Sequence, residues 1–298
     1  MYSSVRPADR HDLLEWIPDA VVVTDRTGRI VFVNRQAESL TGYARRELIG
    51  RKVEVLVPLR LRASHVRDRR EFYARGRPRL MGDRGADLSL RRKGGSVVPV
   101  EISLGPAAAD TVAVIRDVTE RRRMEAALEH RALHDPLTDL ANRTLFFDRL
   151  RQAINTARRV GGRVALVMLD LDGFKSINDA YGHATGDDVL KALAGRLRKG
   201  LRATDTAARI GGDEFAVILP MVSSQVAVER MARRRLAIAQ EPLIAGRKRV
   251  NLRVSAGIAM YPEDGRDADT MLRHADAAMY SAKREGRSLV FHISARKS

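Results

Sequence analysis

The apolar run Val164–Leu169 ends in Asp170-Leu171-Asp172, and further along the chain Gly211-Gly212 leads into Asp213-Glu214-Phe215. A strand that ends in Asp-x-Asp sets two carboxylates where the chain leaves the core, a common way to hold Mg²⁺. Gly-Gly lets a turn tighten and lets backbone approach a phosphate closely, and Asp213 and Glu214 then project from that turn. Acids at a turn are often only solvated, so the pattern alone supports a metal hypothesis and nothing finer. There is no G-x-x-x-x-G-K-[ST], so a P-loop does not handle the phosphates. With no cysteine in the chain, disulfides, thiolate metal sites and cysteine nucleophiles are excluded.

These residues need strands and helices to position them. Residues 164–170 read as a continuous apolar strand, as expected of one covered on both faces. Residues 188–201 place Leu190, Leu193, Ala194, Leu197 and Leu201 at helical spacing. Residues 207–219 read as two short strands around the Gly-Gly turn. Helix over 223–240, strand over 249–261, helix over 267–285 and strand over 287–292 complete an α/β domain with a mixed sheet. Nearer the N-terminus, 20–25 and 29–34 are β-rich runs separated by Arg26-Thr27-Gly28, and 36–41 looks helical. After a basic stretch come strands at 87–92, 97–104 and 111–117, giving one antiparallel sheet flanked by helices. Residues 117–135 form a charged helical connector, with Asp117 or Thr119 able to cap its start and Met124 and Leu128 on one face. A simple linker and a dimeric signalling helix fit it equally well.

Two resemblances sharpen this. IPDAVVVTDRTGRIVFVNRQAESLTGY, RRKGGSVVPVEISL and VIRDVTERRR resemble a PAS sensor domain over roughly 10–118, an α+β fold with an antiparallel sheet. HDPLTDLANR (134–143), LDLDGFKSINDAYGHATGDD (169–188), RIGGDEFAVIL (209–219), SAGIAMYPEDG (255–265) and ADAAMYSAKREGR (275–287) occur in the order of the GGDEF family of diguanylate cyclases. This second resemblance covers 131–296 and implies a nucleotidyl cyclase-like mixed sheet flanked by helices. Its departures are slight: Asp139 and Ser288 stand where the family more often has Gly and Asn. The expected organisation is a PAS domain at 10–118, a helical signalling linker at 119–133 and a GGDEF domain at 134–298.

The GGDEF resemblance implies condensation of two GTP into cyclic di-GMP and two pyrophosphates. It puts Asp170, Asp213 and the backbone carbonyl of Leu171 on Mg²⁺, for which Mn²⁺ is an acceptable substitute. Glu214 would help bind the metal or deprotonate the attacking 3′-hydroxyl, while Asp172 would be structural. Lys283 and Arg287, four apart at a helix end, would hold phosphates, with the backbone amides of Phe174 and Lys175 nearby. Asn178 and Asp187 would read the base: a carboxylate accepts guanine N1–H and N2–H₂ together, and adenine lacks N1–H. His183, between them, is read as structural. One domain holds one GTP, so a homodimer is implied. Arg202-Ala203-Thr204-Asp205 matches the family's inhibitory RxxD site for product, and Arg233–Arg235 could add a contact there.

In the PAS half, Pro58-x₆-His65 is similar to the proximal ligand region of haem-binding PAS sensors. The distal arginine of those sensors would fall near Ala86, with Arg84 close by, so a structural or surface histidine stands ahead of haem. A net charge of +17 splits into +7 for residues 1–130 and +10 for 131–298, with a concentration at 51–93. A field of this kind gathers polyphosphates and binds nucleic acid weakly. Nothing but bulk charge speaks for a nucleic-acid binder. A silent GGDEF domain acting as a cyclic di-GMP receptor is the other alternative, opposed by the unbroken Gly211–Phe215 signature. The hydrophobic fraction of 44%, with 31% charged, is that of an ordinary globular chain. No signal peptide or membrane span is legible, which leads to an expected cytoplasmic location.

Overall fold

The computed structural model describes residues 12–75, 79–81, 88–107, 110–245 and 248–292. Positions 10–11 and 293–298 of the two expected domains, and Arg84 and Ala86, lie outside the described residues. The chain divides into two compact units, Met1–Ala127 and Leu128–Ser298.

The first unit contains β1 (Ala20–Thr24), β2 (Ile30–Val33), α1 (Arg35–Thr41), α2 (Arg45–Leu48), α3 (Arg62–Arg75), β3 (Arg79–Met81), β4 (Ser89–Arg91), β5 (Val97–Ala107) and β6 (Asp110–Asp117). The sheet order is β2-β1-β6-β5-β3 with β4 also on β5, and every pairing is antiparallel. The β1–β2 turn is closed by Asp25, whose carboxylate accepts from the amides of Thr27 and Arg29 and from the Thr27 hydroxyl. Asn34, fully buried, caps α1 through Ala37 N–H and also accepts from Val21 N–H, while its amide donates to the carbonyl of Asp19. Neither α3 nor β3 has a clear sequence signal, because the basic stretch carries few apolar residues at a regular spacing.

α4 (Thr119–Leu133) runs from one unit into the next and has no buried residue. The second unit then contains α5 (Arg143–Val160), β7 (Val164–Leu171), α6 (Phe174–Tyr181), α7 (His183–Arg198), β8 (Thr206–Gly211), β9 (Glu214–Pro220), α8 (Gln225–Ala239), β10 (Leu243–Ala245), β11 (Lys248–Val250), β12 (Val254–Tyr261), α9 (Ala268–Arg284) and β13 (Leu289–Phe291). The main sheet has the order β13-β12-β7-β9-β8, with β12 and β13 parallel and the other pairs antiparallel. The run expected as one strand at 249–261 is split: β11 pairs with β10 in a separate ribbon, and β12 alone joins the sheet.

β7 lies at the centre of this sheet, and the period of two decides what each residue meets. Ala165, Val167, Leu169 and Leu171 pack with Leu190 and Leu193 of α7 and Leu236 of α8. Val164, Leu166 and Met168 pack on the other face with Phe146 and Leu150 of α5 and Met271 and Ala275 of α9. Each fully buried leucine contributes roughly 1.5–3 kcal/mol, which explains why the strand is apolar throughout. Gly257 of β12 lets α9 lie against the sheet, since a methyl there would sit 2.1 Å from the Ala275 carbonyl and the Met279 amide. Among the described residues, no helix is long and apolar enough to cross a membrane.

Candidate active site

The alternation along β7 continues past the core. Asp170 falls on the face covered by α9, and Lys283, in the last turn of that helix, donates to its Oδ1 at 2.6 Å. Leu171 returns to the opposite core, and its amide donates to the carbonyl of Asp213 at 3.3 Å. In the ladder Asp170 pairs with Glu214, and Gly211 pairs with Glu214 across the β8–β9 turn. Gly212 in that turn has φ 47°, the left-handed region where glycine is unstrained. The fold therefore brings Asp170, Asp213, Glu214 and Lys283 to one end of the β7–β9 pair.

The electrostatics mark a site short of positive charge. Burial pushes the Glu214 carboxyl above its ordinary range, and the charges of Asp276, Asp170 and Asp213 push it further. Lys283 is raised by its bond to Asp170, against the effect of burial, with Asp172 and Asp213 adding to the rise. A divalent cation relieves such a concentration of carboxylates, so the donor set fits Mg²⁺. Among the described residues, the oxygens of Asp170, Asp213 and Glu214 do not close into a three-carboxylate cage. Mg²⁺ does not require one, since it is bound by one or two carboxylates together with phosphates and water.

Asp172 is held otherwise: it accepts from the Ser255 hydroxyl at 2.9 and 3.0 Å, and its amide donates to the Arg253 carbonyl. It ties β7 to β12, in keeping with a structural role. Next to it, α6 starts at Gly173, which has φ 71° and no side chain to cap the helix. The first amides of α6, including those of Phe174 and Lys175, thus have no intrahelical acceptor and form a ready anion site. Asn178 follows on α6, and its Oδ1 is buried without a hydrogen-bond partner. Gly186 of α7 makes room for it, because a methyl there would stand 1.9 Å from that oxygen. Asp187, exposed, is the next residue along.

Arg287 departs from the expectation. α9 ends at Arg284, so Arg287 is not one helical turn from Lys283, and its Nε lies 3.3 Å from Glu285 Oε2. Arg202 and Asp205 form a closed turn in which the Asp205 carboxylate accepts from the Arg202 amide at 2.9 Å. Both line an open cleft of about 960 Å³ together with Arg149 and Gln152. Of the three arginines expected to add to it, Arg235 donates to the carbonyls of Leu197, Lys199 and Gly200 and feels the charge of Asp205, and Arg233 pairs with Glu229.

Two positioning residues escaped the sequence reading. Arg209 of β8 binds both oxygens of Asp135 at 3.2 Å and donates to the Gly212 carbonyl at 2.9 and 2.7 Å. This largely buried pair fixes the Gly-Gly turn to the segment that follows α4. The charge of Asp276, on α9, acts on Glu214. Neither position carries a local signal, because each meets its partner only through the tertiary fold.

In the first unit, His65 lines a mostly apolar cavity of about 320 Å³ with Leu56, Phe72 and Leu90. Its Nδ1 lies 3.1 Å from Glu54 Oε1, which also accepts from Arg69. The volume is at the small end of ligand pockets, about 300–1,000 Å³. The contact with Glu54 is in keeping with the structural reading of His65.

A sheet whose central strand runs into Asp170, beside a Gly-Gly-Asp-Glu-Phe turn, defines a GGDEF-type nucleotidyl cyclase domain. Residues 132–289 match the family described as diguanylate cyclase, GGDEF domain, and residues 18–120 match a PAS domain. The chain belongs to the GGDEF family and carries a PAS domain ahead of the GGDEF domain. It is 34% identical over 296 residues to the probable diguanylate cyclase DgcE of Escherichia coli (strain K12), which covers 94% of this chain and 26% of that protein. The GGDEF domain of TpbB (YfiN) from Pseudomonas aeruginosa (PAO1) is 41% identical with a TM-score of 0.52, covering 54% of this chain and 94% of that structure. The coiled coil and GGDEF domain of DgcB from Caulobacter crescentus, solved with c-di-GMP, is 32% identical with a TM-score of 0.53, covering 58% and 93%. This chain spans only 25% and 40% of two further curated relatives.

Proposed function

We propose that this chain is a diguanylate cyclase that condenses two GTP into cyclic di-GMP. The observation that carries this reading is the convergence of Asp170, Asp213 and Glu214 with Lys283 beside the uncapped start of α6. Asp170, Asp213 and the carbonyl of Leu171 would hold Mg²⁺, with Mn²⁺ as a substitute. When bound, the metal would neutralise the triphosphate and polarise its phosphoryl oxygens.

The chain's own groups then position the substrate. The α6 amides at Phe174 and Lys175, with Lys283 and Arg287, hold phosphate oxygens. The orphan Asn178 Oδ1 accepts from guanine, and Asp187 accepts from N1–H and N2–H₂, which disfavours adenine. In each condensation a 3′-oxygen bonds to the α-phosphorus of the other GTP, the bond to the β-phosphate bridge breaks, and pyrophosphate leaves. Glu214, with its raised pKa, either joins the metal site or takes the hydroxyl proton. Each domain supplies one GTP, so two chains must face each other, and most of the rate comes from positioning and charge neutralisation.

Arg202 and Asp205 are proposed as the product-binding inhibitory site, supported by their place in the 960 Å³ cleft. The PAS domain is proposed to regulate turnover. The test is pyrophosphate release from purified, nucleotide-stripped protein in Mg²⁺. Release from GTP and not ATP is expected; equal release from both would contradict the assignment of Asn178 and Asp187.

A further inference from the structure

A second constellation borders the cleft of Arg202 and Asp205, which His134 and Asp139 also line. His130 and His134 are one turn apart near the end of α4, with their rings stacked at 4.0 Å between centroids. Asp139, in the turn that follows, brings Oδ1 to 2.6 Å from His130 Nε2. One ligand atom from each of the three lies within 4.8 Å of the others, and among the described residues this is the group of His and carboxylate side chains gathered that closely.

We propose that His130, His134 and Asp139 form a Zn²⁺ site that joins the end of α4 to the 135–141 turn. Two histidines at i and i+4 are a recurrent Zn²⁺ pair; here His134 directly follows α4 and its amide still donates to the His130 carbonyl at 2.8 Å. A carboxylate completes three protein ligands with a fourth position for water. The imidazoles select a borderline first-row cation over the hard Mg²⁺ expected at the active site. His134 is already oriented for this: its Nδ1 faces the Asp139 carbonyl at 3.4 Å, which leaves Nε2 to a cation, a common outer hydrogen bond of metal-bound histidine. Arg198 bonds the other carboxylate oxygen, Oδ2, at 3.4 Å and the Asp139 carbonyl at 2.5 Å, so the backbone is anchored while Oδ1 is left toward His130. Among the described residues Arg198 is the cation bonded to the cluster, and it opposes binding in part.

The backbone gives an independent reason to look here. Asp139 has φ 57°, where glycine is the unstrained residue, yet the position carries a carboxylate bonded to His130. The side chains of His130 and Asp139 are 54% and 60% exposed, so an ion has an open path to them. Tetrahedral Zn²⁺ with bonds of about 2.0–2.2 Å needs only small rotations of these exposed groups.

The test uses the full chain, with Zn²⁺ titrated against a chromophoric chelator in millimolar Mg²⁺ to fill carboxylate sites. One Zn²⁺ per chain is expected, with His130→Gln and Asp139→Asn each weakening it by at least roughly tenfold. Asn tolerates the left-handed backbone, and His130 is exposed, so neither variant should fail to fold; circular dichroism of each verifies this. Asp213→Ala should leave the Zn²⁺ affinity unchanged, which separates this site from the cyclase reading. Zn²⁺ binding that is unaltered by both His130→Gln and Asp139→Asn, or no binding at micromolar Zn²⁺, would overturn the proposal.

Discussion

The chemistry of single residues turns on Glu214. Burial raises its pKa, and the largest charge contribution comes from Asp276. A raised acid reaches its ionised form only at higher pH, so in the metal-free protein Glu214 should titrate above the ordinary carboxylate range. Asp276→Asn removes one negative charge and should lower that titration. Carboxyl NMR of the metal-free protein checks this, and an unmoved titration would show that Asp276 does not act on Glu214. Much of the residue-level site was legible because its acids and glycines are consecutive: Asp170-Leu171-Asp172 and Gly211–Phe215 stand out on the page. Asp276 and Arg209 did not, since their partners are distant in sequence and only the packing of α9 and β8 brings them together.

At the scale of elements, the Asp135–Arg209–Gly212 tether determines how firmly the Gly-Gly turn is held. Burial raises the Asp135 carboxyl, but bonds from Thr138 and then Arg209 outweigh it, and the net shift is downward. Its unfolded value is near 3.8, so the stabilisation is present above that pH and is lost as pH falls through the lower folded value. Asp135→Ala leaves a largely buried guanidinium without its ion partner and should cost about 1–3 kcal/mol. Denaturant melts at neutral pH and near pH 3 check both statements: the loss should be smaller in acid, and an equal loss at both would contradict it. Asn34 provides a second case, since it closes the α1 start and β1 through a buried set of bonds. Asn34→Ala should destabilise the first unit by about 2 kcal/mol, read as a shift in its denaturant midpoint.

Strand expectations held where burial is two-sided, as in β7, or where a glycine turn divides two apolar runs, as in β8 and β9. They failed over 249–261, where apolar and basic residues run on continuously. There the pairing of β11 with β10, a tertiary fact, decides where one element stops. α3 and β3 were not legible because their residues are basic rather than periodic. The mismatch at Arg287 has the same origin: helix periodicity was carried three residues past Arg284, where the chain has already turned at Gly286, φ 66°.

For the whole molecule, the cyclase reading requires two GGDEF domains to meet. Turnover per chain should therefore rise with chain concentration until dimers saturate, and strict proportionality over a wide dilution range would point to a permanent dimer. If Arg202 and Asp205 hold product, Arg202→Ala should relieve inhibition by added cyclic di-GMP while leaving initial rates within about twofold. Inhibition unchanged by that substitution would remove the site. The two-unit organisation was readable from the switch between an antiparallel and an alternating pattern, whereas no motif names a ligand for the PAS domain.

The central claim is tested most directly by chromatographic analysis of the product after incubation of the stripped protein with GTP and Mg²⁺, beside an Asp213→Ala, Glu214→Ala double variant. The account predicts cyclic di-GMP from the wild-type chain, with two pyrophosphates per product, and none from the variant. No cyclic dinucleotide from the wild-type chain, or the same yield from the variant, would contradict it.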